Sequence, residues 1–116
     1  MNIKETSKEL NKKEQYLLTL NNAMVSVKDV EDGVKITCTA YALYEDINSK
    51  GEEVEVLTIL TPDNTVYCTQ SATFKRSFKD IYDMMNPEEF TVIKVSGTTK
   101  AGRPYVDCQL DTENLS

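Results

Sequence analysis

Gly33-Val34-Lys35-Ile36-Thr37-Cys38-Thr39-Ala40-Tyr41-Ala42-Leu43-Tyr44 decides the fold class. Val34, Ile36, Cys38, Ala40 and Ala42 alternate with Lys35, Thr37, Thr39, Tyr41 and Leu43, a period of two sustained over more than four pairs. That period belongs to a pleated strand with one face buried, so the stretch is expected to be a long first or central strand, entered from the turn Val30-Glu31-Asp32-Gly33. Asn48-Ser49-Lys50-Gly51 closes it with turn chemistry, and Glu53 to Leu60 returns. Within that return, Val54 and Val56 hold one phase before Leu57 and Ile59 take the other, which signals a bulge or burial on both faces.

Beyond that return, Thr61-Pro62-Asp63-Asn64 reads as a turn and Thr65 to Thr69 as a short strand, with Val66 and Cys68 on one face and Tyr67 on the other. From Ser71 the period changes. Phe74, Phe78, Ile81 and Met85 fall at i, i+4, i+7 and i+11, the stripe of an amphipathic helix that Ser71 or Thr73 can cap and Asn86-Pro87 ends. Phe90 to Gly97 and Pro104 to Leu110 are then two strands joined by the polar hairpin Thr98 to Arg103, with Ile93, Val95, Val106, Cys108 and Leu110 expected to face the core. The N-terminal third supports two readings. Thr6 and Glu9 form a capping-box pattern for a helix through Leu10 and Leu17, while Tyr16 to Val27 reads equally well as extended chain. The extended reading is adopted, with residues 1–14 flexible and strand from about Gln15.

Thirteen Thr, ten Val and six Ile in 116 residues are a β-branched load that suits pleated surfaces. The expected fold is therefore mainly β, a small OB-like Greek-key barrel with one α-helix over residues 15–110, followed by a short acidic tail at 111–116. An open α+β sheet fits the same element order almost as well.

A chain of this length makes one domain. No apolar run approaches the roughly 18 residues of a bilayer span, which excludes membrane insertion by a helix, and the Lys/Glu-rich start holds no apolar export segment, so a cytoplasmic location is expected. With no His and no Trp, hydrolytic triads, His-ligated zinc and imidazole acid-base chemistry lack their residues. Cys38, Cys68 and Cys108 are odd in number and widely spaced, which reads as reduced core thiols; a three-thiolate metal site would need them to converge. No phosphate-binding or dinucleotide-binding glycine loop and no nucleophile elbow is present, and Glu52-Glu53 reads as a solvated turn rim. No enzyme, cofactor or metal is expected. Asn114-Leu115-Ser116 matches a glycosylation sequon by chance, given the absence of an export signal.

Charge opposes nucleic-acid binding at first sight, since the net charge is -6 and the pI about 4.6. Its distribution is uneven: residues 33–70 carry two Lys/Arg against six Asp/Glu, whereas residues 71–106 carry six against four. Aromatic placement gives the better lead. Tyr41, Tyr44, Tyr67 and Tyr105 fall on strands opposite to, or at the ends of, the apolar stripes, where rings can stack bases at roughly 1 to 3 kcal/mol each. Lys100 and Arg103 in the last hairpin, with Tyr105 just after, form the best local group. The plainer alternative is that a strand tyrosine packs its ring and exposes only its hydroxyl.

Val27-Lys28-Asp29-Val30-Glu31-Asp32-Gly33, the strand ending Ala40-Tyr41-Ala42-Leu43-Tyr44, and Thr58-Ile59-Leu60 followed by Asp63, Val66 and Tyr67 occur in a characteristic order. Phe90-Thr91-Val92-Ile93-Lys94-Val95, then Gly97-Thr98-Thr99-Lys100-Ala101-Gly102 and Gln109-Leu110, complete it. Over about residues 15–110 this pattern resembles the small single-stranded DNA-binding proteins of tailed phages that replicate linear genomes by protein priming. The resemblance implies an acidic OB-like protein that coats and protects single strands during phage DNA replication, without reading sequence, in the cytoplasm of the infected host cell. Phage replication proteins are implied as further partners. By position, the family's strand-end tyrosine falls on Tyr44 and its tyrosine after the Asp-containing turn on Tyr67. An aromatic that such proteins can carry in the first hairpin loop is absent, Asn48, Ser49 and Lys50 standing there, which leaves Tyr41 or Tyr105 to compensate. The expected DNA-binding set is thus Tyr41, Tyr44, Tyr67 and Tyr105 for stacking, with Lys35, Lys50, Lys100 and Arg103 for phosphates. The rival expectation is an acidic protein-interaction module, such as a phage inhibitor of a basic host protein, using the segment Glu45 to Asp63.

Overall fold

At Thr39 the alternating run changes sheets. The computed structural model describes residues 1–113, and Asn114-Leu115-Ser116, with the end of the acidic tail, lies outside them. In chain order the elements are β1 (Asn2–Thr6), α1 (Lys12–Thr19), β2 (Val25–Ser26), a 3-10 turn (Val27–Asp29), β3 (Lys35–Cys38), β4 (Ala40–Ile47), β5 (Glu53–Leu60), β6 (Val66–Thr69), α2 (Ala72–Met85), β7 (Phe90–Thr98) and β8 (Pro104–Leu110). They form a mainly β molecule with two sheets, ordered β1-β4-β5-β6-β2 and β3-β7-β8. All pairings are antiparallel except β2 with β6. The single long strand expected over Gly33 to Tyr44 is thus two, one in each sheet. Thr39 fixes the crossing, because its backbone N–H and its hydroxyl both donate to the Leu60 carbonyl, at 2.8 and 2.9 Å.

Both faces of the five-stranded sheet are covered. Toward the second sheet, Tyr41, Leu57 and Ile59 join Ile36, Cys38, Phe90, Val92 and Cys108 around Phe74 and Phe78 of α2. On the outer face, Ala40, Ala42, Leu60 and Val66 pack on Leu18 of α1. The β4–β5 register runs unbroken from Ala40 opposite Leu60 to Ile47 opposite Glu53, so the phase shift in β5 reflects burial on both sides and no bulge. Burying one Phe side chain contributes roughly 1.5 to 3 kcal/mol, and Phe74 and Phe78 are both fully enclosed.

The helix α2 forms where its stripe places it. Ser71 accepts a hydrogen bond from the Phe74 N–H at 3.1 Å and donates to the Val106 carbonyl at 2.9 Å, so one hydroxyl caps the helix and pins it to β8. That edge of β8 is closed to further pairing at several points, since Pro104 has no N–H and the Asp107 carboxylate takes the Cys108 N–H at 2.8 Å.

Three expectations need correction. The N-terminal segment read as flexible contains β1, paired with β4, and the strand expected from about Gln15 is α1, a second helix. Asn11, rather than Thr6, caps it: Asn11 Oδ1 accepts from the Glu14 N–H at 2.8 Å while the Glu14 carboxylate accepts from the Asn11 N–H at 3.1 Å. In β7 the inward phase is Phe90, Val92 and Lys94, not Ile93 and Val95, which are only half-buried. Lys94 lies 5% exposed because its amine donates to the Val30 carbonyl at 2.6 Å and pairs with Asp32 at 3.1 Å.

Candidate nucleic-acid interface

Where the β6–β2 edge of one sheet approaches β8 of the other, a groove of about 420 Å³ opens on the outer face. Val56 and Cys68 form part of its lining, with Ser26, Lys28, Gln70 and Tyr105 around them. Strand register puts Tyr105 there: it pairs with Gly97, and its ring lies over that glycine while remaining 39% exposed. The hairpin leading into it is held by its own backbone, with the Thr99 N–H donating to the Arg103 carbonyl at 2.8 Å, the Gly102 N–H to the Thr99 carbonyl at 2.9 Å, and Gly102 at φ 82°. Lys100 and Arg103 therefore project from an ordered turn next to Tyr105, and both are exposed.

The four expected tyrosines do not share a surface. Tyr41 is 1% exposed, edge-on to Phe78 at 5.4 Å and to Tyr82 at 4.9 Å; its hydroxyl donates to Glu5 at 2.6 Å and accepts from Lys79 at 2.7 Å. Burial, then the Glu5 carboxylate, raises its pKa above the ordinary phenol value. Tyr44 is buried as well, its pKa likewise raised by burial. Neither ring offers a face to a base, which removes both from the stacking set. The reason is that β4 is covered on both sides, so the phase opposite an apolar stripe is also core. Tyr67 is half-buried and packs partly on the inner core, on the opposite side of β6 from Cys68. It lines a separate cleft of about 220 Å³ with Lys35, Thr37, Pro62 and Asp63.

The cations separate into committed and free. Lys35 pairs with Asp111 at 3.1 Å and Glu113 at 3.4 Å, so the cation beside Tyr67 is already neutralised by the start of the acidic tail. Asp111 is held below the usual carboxylate range, first by Lys35 and then by the Glu113 N–H. Among the described residues, no carboxylate lies within 4.0 Å of Lys28, Lys50, Lys100 or Arg103. Lys50 stands apart from the groove, in the β4–β5 turn beside Glu52 and Glu53. On α2 two of the cations are structural: Lys75 pairs with Glu55 at 3.1 Å, and Lys79 pairs with Glu5. Lys28 and Gln70 were not singled out from sequence. Only the parallel β2–β6 pairing brings Lys28 to Tyr105, and a two-residue strand leaves no periodic trace.

Cys38 and Cys108 are buried free thiols whose pKa values burial pushes up to about 12, so they behave as small core residues. Cys68 is half-buried in the groove lining, with its pKa raised by the same cause.

No protein-family model, curated protein or solved structure matches the chain.

Proposed function

We propose that this protein binds single-stranded DNA without sequence preference, and that the groove walled by Tyr105 is the principal site. The observation that carries the reading is the cluster itself: one accessible aromatic ring in the mouth of a groove, with Lys28 across from it and Lys100 and Arg103 on the adjoining turn, none paired to an acid among the described residues. Such a group offers a π-face for any base and cations for the flanking phosphates. Tyr67 supplies a secondary contact, its neighbour Lys35 being held by Asp111 and Glu113.

An OB-like Greek-key reading of the fold supports this. The chain passes at Thr39 from β3 of one sheet into β4 of the other; the helix α2 lies between β6 and β7 in the chain; and following the neighbours round gives β4-β5-β6-β2, a gap, then β8-β7-β3. The gap is where the groove opens. Coating and protecting strands during phage DNA replication is the role we attach to it, on the resemblance of the sequence alone, with phage replication proteins as partners in the host cytoplasm.

Titration of a labelled oligo-dT at low salt, read by anisotropy and tyrosine quenching with a duplex control, tests the reading. Saturable binding with quenching, absent for duplex, is the expected result; no binding at tens of micromolar overturns it. A second reading has its own support. At the far end of the β4–β5 hairpin, exposed Ile47 lies among Glu45, Asp46 and Glu53 at a cleft of about 250 Å³ that also includes Met1, a surface suited to a basic protein partner.

A further inference from the structure

The outer face that carries the groove also carries α1, and the two adjoin. Thr58 donates to the Leu18 carbonyl of α1 at 2.7 Å, and Val56, two residues back on the same face of β5, lines the groove. At about 3.3 Å per residue these positions are roughly 7 Å apart. The face of α1 turned away from the sheet is cationic and aromatic. Tyr16 is 52% exposed, the most open tyrosine in the chain; Lys12 and Lys13 precede it by four and three residues, which places all three side by side on one helical surface.

Both lysines are exposed, and among the described residues no carboxylate lies within 4.0 Å of either; Glu14, the one acid of the first turn, is taken by Lys8 at 2.7 Å. Cations in a first turn oppose the helix dipole, so these two do not serve the helix that bears them. The helix itself is firmly placed, by its Asn11–Glu14 capping pair at one end and buried Leu18 on its inner side.

We infer that Lys12, Lys13 and Tyr16 form a second contact segment for single-stranded DNA, engaging the strand as it leaves the Tyr105 groove across the outer face. Tyr16 stacks a base and the lysines meet the flanking phosphates. The inference rests on the single-strand reading of the groove, and it makes the binding site longer than the groove alone.

The test uses the full chain and two oligo-dT lengths, about 4 and about 16 nucleotides, the ends of the usual site-size range for one such domain. Tyr16→Ala and the double variant Lys12→Gln/Lys13→Gln are expected to bind the short oligonucleotide as wild type does and the long one about five-fold more weakly or worse. Tyr16→Trp preserves the stacking surface and gives the chain its single indole; it retains long-oligonucleotide affinity, and its emission is quenched by the long strand and not by the short. Wild-type affinity for the long strand in both loss variants overturns the inference and leaves the groove reading standing, as does an equal loss at both lengths. If loss of Tyr16 changes the sedimentation of the protein but not its DNA affinity, the face is a contact between copies and the inference fails. Absence of wild-type binding at either length overturns the inference and the reading beneath it together.

Discussion

The ring of Tyr105 lies against the α-carbon of Gly97, its partner across the β7–β8 ladder: a methyl group at position 97 would stand 2.5 Å from the Tyr105 hydroxyl oxygen and 2.6 Å from Cζ. Gly97 is therefore the seat on which the groove's aromatic wall rests, much as a large ring shields a strand glycine in other sheets. The atoms a methyl group would meet are the far end of an exposed side chain, so the ring can swing away without disturbing the backbone. Gly97→Ala is expected to keep a thermal midpoint near that of wild type while weakening single-strand binding in the same direction as Tyr105→Ala. Calorimetry and an oligo-dT titration on the same preparation check both halves.

Tyr105 and Tyr41 are expected to separate binding from folding. Tyr105→Ala loses roughly 1 to 3 kcal/mol of DNA affinity and leaves stability nearly unchanged. Tyr41→Phe retains the ring packed on Phe78 and Tyr82 but removes the hydroxyl between Glu5 and Lys79, so it lowers unfolding free energy by about 1 kcal/mol and leaves affinity unchanged. Urea unfolding beside the titration distinguishes them. A loss of affinity in Tyr41→Phe at full folding would return that ring to the site.

Salt dependence separates free from committed cations. Removing one phosphate contact on a single strand lowers the slope of log K against log salt by about 0.7. Lys100→Gln and Arg103→Gln should each show that change, whereas Lys35→Gln should show less, because Asp111 and Glu113 already hold its amine. Titrations at four salt concentrations give the slopes.

Acid should loosen the N-terminal strand first. Glu5 is held below its ordinary value of 4.5, chiefly by its hydrogen bond from Lys79 and then by that from Tyr41. A carboxyl whose folded pKa is depressed contributes stability that is present above the unfolded value and lost as pH falls through the folded one. Glu55 and Asp111, also lowered, act in the same direction. Stability is therefore expected to decline as pH drops below about 4.5, the unfolded reference in this linkage. Glu5→Gln should start less stable and decline less steeply, as thermal melts across that range would record.

Much of the framework was legible from period and caps. The stripe Phe74, Phe78, Ile81, Met85 located α2, with Ser71 or Thr73 offered as its cap and Ser71 the one that serves; the phase shift at Leu57 left a bulge and two-sided burial open, and the unbroken β4–β5 register selects the second. The break at Thr39 was not legible, because a strand that changes sheets keeps its period of two. In β7 both phases carry apolar residues, and Lys94 masked the true inward one, since its charge is satisfied by Val30 and Asp32, distant in sequence. The site was read least well for a related reason. Alternation predicts solvent opposite an apolar stripe, but α2 and the second sheet enclose the Tyr41 side of β4, Tyr44 falls on the opposite side along which α1 packs, and both rings are core. The hairpin group Lys100, Arg103 and Tyr105 was legible because it depends on local chain alone.

A map of backbone amide shifts in the ¹⁵N-labelled protein as oligo-dT is added at low salt tests most directly whether the Tyr105 groove is the single-strand site. The largest shifts are expected at Ser26, Lys28, Gln70 and Tyr105, with the hairpin from Thr98 to Arg103 moving alongside. An unperturbed spectrum, or shifts confined to the acidic end from Glu45 to Glu53, would contradict that assignment.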